Sequence, residues 1–234
     1  NIPLFYPQIE KLFEILFEEN VKIVITSGGN PELYTKRMKD AGMTVIHVVA
    51  NVKFAQKAEN SGVDAIVAEG FEAGGHNGRD EITTMCLIPS IVKAVNIPVI
   101  AAGGIATGRT MLAAMSLGAD AVQIGSRFAI SKESSAHDIF KNHVLSAKDG
   151  DTVLTLKELA PVRMLKNEFF QEIKSLYNRS GSKDELIELL GRGRIKKGIF
   201  EGDLVDGNLE IGQVSAIINS INSVAEIINE VFSD

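Results

Sequence analysis

A chain of 234 residues and 25.3 kDa is long enough for one large α/β domain or two small ones, either able to bury a core. Its 45% hydrophobic and 23% charged residues match ordinary globular proteins, which excludes disorder, collagen-like repetition and a coiled coil. A net charge of −6 with no long basic run excludes a nucleic-acid footprint, so an anionic ligand has to be held locally.

The start, Asn1-Ile2-Pro3, has neither the charged nor the apolar region of a signal peptide, and no run of about 18 apolar residues occurs. Neither secretion nor a membrane span is expected, and Cys86 as the single cysteine fits a reducing cytoplasm without disulfides. The opening residues read as the end of a strand, with earlier strands expected upstream.

Five segments then repeat one pattern. Asn20-Val21-Lys22-Ile23-Val24-Ile25, Ala41-Gly42-Met43-Thr44-Val45-Ile46, Ser61-Gly62-Val63-Asp64-Ala65-Ile66, Val95-Asn96-Ile97-Pro98-Val99-Ile100 and Leu117-Gly118-Ala119-Asp120-Ala121-Val122 each pass from a turn residue into a short apolar run. The runs are β-branched and nearly continuous, as in parallel strands covered on both faces. Amphipathic stretches at 31–41, 52–61 and 108–117 separate them, so the unit is βα, repeated. Repeated βα units build either a doubly wound sheet or an eight-stranded barrel. A Gly-x-Gly-x-x-Gly fingerprint after the first strand is absent, and the glycine-rich loops instead follow late strands, as in phosphate-binding barrels. The expected fold is therefore a TIM (β/α)8-type barrel over residues 1–150, lacking its first strands. A charged segment at 151–210, without β-branched runs, reads as a helical insertion, and residues 211–234 as a closing barrel helix running from Val214 to Phe232.

Three loops carry the chemistry. Glu69-Gly70-Phe71-Glu72-Ala73-Gly74-Gly75-His76-Asn77-Gly78 follows the strand at 65–68, where paired glycines let backbone approach a flat or anionic ligand and His76 reaches the barrel mouth. An isolated Gly-Gly-His is ordinarily a surface turn. Here the acidic strand end, the long loop to Thr83 and the neighbouring glycine loops favour an active site. Ala101-Ala102-Gly103-Gly104-Ile105 and Gln123-Ile124-Gly125-Ser126-Arg127 would together offer backbone N–H groups to a phosphate at the entry of helix 108–117. His137 and His143 read as solvated, His47 as a hydrogen-bonded packing residue and Cys86 as a buried, inert thiol; no metal-ligand spacing occurs.

The strings EAGGHNG at 72–78, PVIAAGGIATG at 98–108 and AVQIGSRF at 121–128 resemble the flavin-dependent family of nitronate monooxygenases and flavin-type (type II) enoyl-acyl-carrier-protein reductases. TTM at 83–85 and SKESSAH at 131–137 are more similar to the reductase branch. The resemblance implies a TIM barrel holding FMN, with NADH or NADPH as reductant if the chain is a reductase. It implies His76 as the catalytic residue beside the flavin. Glu69, Gly74, Gly75, Ala102, Gly103, Gly104, Gly125 and Ser126 would contact the cofactor. The substrate would be an acyl thioester in fatty acid synthesis or, in the monooxygenase branch, an alkyl nitronate oxidised with O₂. Acyl-carrier protein and a homodimer stay open as partners. Lys166, Arg192, Arg194, Lys196 and Lys197 are the candidate basic residues for meeting an acidic carrier, although a solvated face is the stronger reading of them.

Overall fold

The computed structural model describes residues 1–234, which form two compact units. One comprises Asn1–Phe71, Asp80–Ala102 and Ala113–Gln123, and the other Glu72–Arg79, Gly103–Leu112 and Ile124–Asp234. In chain order the elements begin β1 (Ile2–Pro3), α1 (Ile9–Glu18), β2 (Ile23–Ser27), α2 (Thr35–Asp40), β3 (Thr44–Val49), α3 (Val52–Asn60) and β4 (Ala65–Glu69). They continue with β5 (Gly75–His76), α4 (Thr84–Val92), β6 (Val99–Ala102), α5 (Gly108–Ser116), β7 (Ala121–Gln123), α6 (Ser126–Ala129) and α7 (Asp138–Leu145). β8 (Thr152–Thr155), β9 (Val162–Leu165), α8 (Glu168–Asn178), α9 (Lys183–Leu190) and α10 (Val224–Ser233) complete the chain.

The first unit is built on a six-stranded parallel sheet in the order β1-β2-β3-β4-β6-β7. Its strands follow one another in sequence, as expected for repeated βα units. The turn residues of the repeat do one job: Asn20 (φ 50), Gly42 (φ 78), Gly62 (φ 83) and Gly118 (φ 100) take the left-handed conformation that ends a helix before the next strand. A second repeated device was not legible as such. Asp64 accepts from the Val45 amide at 2.8 Å while its own amide donates to Val45 O, and Asp120 does the same to Val99 at 2.9 Å. Each aspartate thereby clips the start of its strand to the neighbouring one. β4 is buried from Ala65 to Ala68, whereas β3 alternates, burying Val45, His47 and Val49. His47 lies in register with Thr26, and its Nδ1 is 2.7 Å from the Thr26 hydroxyl, the packing role expected of it.

The second unit contains a three-stranded antiparallel sheet in the order β5-β9-β8. Here the structure departs from the helical reading of 151–210: this segment opens with the β8–β9 ribbon before α8 and α9. These four-residue strands are interrupted by polar residues, Arg163 among them, so their signal is weak locally and their pairing is decided by tertiary contact. Leu156, Val162 and Met164 of this region pack with Phe169, Ile173, Leu176 and Leu186 of the two helices. A second cluster joins Phe140 and Val144 of α7 to Leu209, Ile211 and Val214. The closing helix is shorter than expected. A 3₁₀ turn covers Gln213–Ile217, and α10 starts at Val224, where Ser223 and Glu226 form a capping box. No helix is long and apolar enough to cross a membrane.

Candidate active site

His76 does not hang on an open loop. It lies in β5, opposite Val162 of β9, while Gly75 lies opposite Arg163. Asn77 fixes the strand's exit: its amide donates to Pro161 O at 2.9 Å, and its Nδ2 donates to Ala73 O and Gly75 O. The imidazole keeps solvent access, and desolvation by the surrounding protein lowers its pKa from 6.5, so the ring is largely neutral at neutral pH.

The paired glycines receive their reason from a distant segment, residues 208–213. A Cβ on Gly74 would stand 2.4 Å from the carbonyl carbon of Ile211 and 2.5 Å from the Gly212 amide nitrogen. Gly75 has φ +75, and a Cβ there would stand 2.9 Å from Glu210 Oε2. What approaches this backbone closely is therefore the chain's own backbone at Ile211 and Gly212. Gln213 donates to Glu72 O at 2.9 Å, and Gly212 donates to the Ser126 hydroxyl at 2.9 Å, knitting the loop at 72–78 to the start of α6.

Glu210 and Asn208 are the residues that sequence reasoning missed. With His76 they line a cavity of about 290 Å³ whose other walls include Leu156, Leu159, Ala160, Val162 and Leu190. Glu210 Oε1 accepts from Asn208 Nδ2 at 2.8 Å, and burial pushes the Glu210 carboxyl up to about 7 against the opposing pull of that bond. The available signal was the alternation Asn208-Leu209-Glu210-Ile211 between Gly207 and Gly212, an extended stretch inside a segment read as helical.

The phosphate-type loops also lie in the second unit from Gly103 onward. Gly103 (φ 85) and Gly104 (φ 73) are consecutive left-handed residues, and Gly125 has open space where a Cβ would stand. The entry to α5 is less available than the sequence implied. The Thr110 hydroxyl accepts from Ala106 and Thr107 at 3.0 and 2.9 Å, and the Asp234 carboxylate accepts from Arg109 at 3.3 Å. Gly104 and Gly125 carry no side chain of their own over the backbone, and Gly125 leads directly into the Ser126 hydroxyl. That surface fits the phosphate of FMN.

In the first unit, Glu69 stands in register with Ala102, and Gly70 donates to Ala102 O at 2.9 Å. Burial pushes the Glu69 carboxyl up to about 7. Cys86 is exposed rather than buried, a correction that follows from its place on the outer face of α4. His137 caps α7, its Nδ1 accepting from the Ile139 amide at 3.2 Å. Several basic residues of the expected docking patch are committed within the chain. Lys197 pairs with Asp203 and Asp206, Lys196 with Glu201, and Arg194 lies over the Phe169 ring at 4.4 Å.

Comparison with known proteins agrees with this architecture. The sequence model of the nitronate monooxygenase family matches residues 5–234. A Staphylococcus saprophyticus protein named "Probable nitronate monooxygenase" is 36% identical over 177 residues, covering 71% of this chain and 50% of that protein. The chain thus spans about half the length of this curated relative. FabK from Thermotoga maritima is 40% identical with a TM-score of 0.93, covering 100% of this chain and 74% of that one. Nitroalkane oxidase from Streptomyces ansochromogenes is 26% identical with a TM-score of 0.81, covering 96% and 67%. With the parallel βα order, the glycine loops and the family match in place, the chain belongs to the nitronate monooxygenase family.

Proposed function

We propose that this protein is an FMN-dependent oxidoreductase that reduces the double bond of an enoyl thioester, presented by acyl-carrier protein, with NADH or NADPH as the electron source. The observation that carries this reading is the cavity beside His76, lined by Leu156, Leu159, Ala160, Val162 and Leu190. Such a lining suits an acyl chain, which a small nitronate would not need. The 40% identity to FabK, a type II enoyl-acyl-carrier-protein reductase, supports the same branch.

Bound FMN would supply hydride transfer. Gly103, Gly104, Gly125 and Ser126 would hold its phosphate through backbone N–H groups and the Ser126 hydroxyl. The aliphatic walls of the cavity bind the acyl chain and exclude water. His76, neutral at working pH, orients the thioester by donating from its ring N–H to the carbonyl oxygen, which polarises the conjugated double bond.

A second reading, oxidation of alkyl nitronates with O₂, is favoured by the family match and by the name of the staphylococcal relative. In that reading His76 binds the nitronate or accepts its proton, and no pyridine nucleotide is needed. Anaerobic mixing of the FMN-loaded protein with NADH or NADPH separates the two. Bleaching of the flavin that is reversed by an enoyl thioester is the expected result. Bleaching by a nitronate alone would transfer the assignment to the monooxygenase branch.

A further inference from the structure

β9 brings two titratable groups to one face. His76 stands opposite Val162, and Glu210 stands opposite Met164 through an antiparallel bridge. Opposed residues in an antiparallel pair share a face of the sheet, and so do Val162 and Met164, which are two apart. His76 and Glu210 therefore project to the same side of β9, and both line the cavity. The carboxyl's position is prepared by its surroundings: Asn208 holds Oε1, and Gly75, by having no side chain, leaves room for Oε2.

We propose that Glu210 is a second substrate-facing residue of this cavity, its carboxyl O–H donating a hydrogen bond to the carbonyl oxygen of the acyl thioester alongside His76. The inference rests on the acyl-thioester reading above. Burial raises the Glu210 carboxyl to about 7, so a proton is held there near neutrality, while His76 is shifted the other way. The remaining charged group of the cavity is Arg194, fixed by donation to Asp206 O and Leu189 O. Arg163, one residue out of step on β9, projects to the opposite face and donates to the Thr152 hydroxyl at 3.3 Å.

The test is calorimetric binding of a saturated acyl thioester, which cannot be reduced, to the FMN-loaded protein from about pH 5.5 to about pH 8.5. Wild-type affinity is expected to fall about tenfold across that range as Glu210 loses its proton. Glu210→Gln, which keeps a donor of the same shape, should retain the low-pH affinity and lose the pH dependence. Glu210→Leu should bind weakly at every pH with FMN affinity unchanged; if that variant fails to fold, Glu210→Gln carries the test alone. Binding strength and pH profile left untouched by the substitutions overturn the inference and leave the reductase reading standing. A wild-type protein that binds no acyl thioester overturns that reading, and the inference with it.

Discussion

The backbone of Gly74 runs so close to Ile211 that a methyl group on Gly74 would stand 2.4 Å from the Ile211 carbonyl carbon. A glycine-rich loop that looks made for a ligand is thus shaped first by the chain's own extended segment at 210–212. Gly125, by contrast, has open space where a Cβ would go. Packing within the chain requires a glycine at position 74 and places no such demand on position 125.

Gly74→Ala is expected to destabilise the protein by about 3 kcal/mol, because backbone on both sides must shift to admit the methyl group. Gly125→Ala should leave stability within about 0.5 kcal/mol of wild type. It should weaken FMN binding at least tenfold if the phosphate lies against it. Urea unfolding and fluorescence titration of FMN measure the two effects; equal unfolding midpoints for both variants would contradict the packing argument.

His47 predicts an acid-sensitive component of stability. Burial lowers its pKa from 6.5 to about 4, so on acidification the unfolded chain takes up the proton first. The stabilisation from neutral His47 is full above pH 6.5 and is lost as pH falls toward 4, by up to about 3 kcal/mol. Glu69 and Glu210, both raised to about 7, have the opposite slope, their contribution being lost as pH rises toward 7. Comparing His47→Gln with wild type isolates the histidine: the variant's unfolding midpoint should fall less between pH 7 and about pH 4.5.

The aspartate clips predict matched costs at separate places. Asp64→Ala and Asp120→Ala each remove the acceptor for an amide in the first two residues of a strand, Val45 or Val99, and each should cost about 1 to 2 kcal/mol. The two sites share no partner, so the double variant should be additive within about 0.5 kcal/mol. Amide hydrogen exchange at Val45 and Val99 should accelerate in the corresponding variant alone.

His76→Ala should lower kcat by about 10²-fold or more while FMN affinity changes only a few-fold, as expected for a residue that engages substrate. A loss of flavin binding equal to the loss of turnover would instead place His76 in cofactor retention.

The repeated βα order was readable from sequence because its signals are local: a left-handed Asn20, Gly42, Gly62 or Gly118, then a short apolar run. The glycine loops and His76 were readable for the same reason, each being a contiguous string. The β8–β9 ribbon and Glu210 were not, since a short strand with a polar centre carries little intrinsic signal until a partner strand covers it. Sequence alone located the βα repeat and the glycine-rich strings that follow its parallel strands. Only the tertiary structure decided that β9 would pair with His76 on one edge and set Glu210 beside it. Pairing between such distant segments depends on long-range packing, which no local pattern encodes.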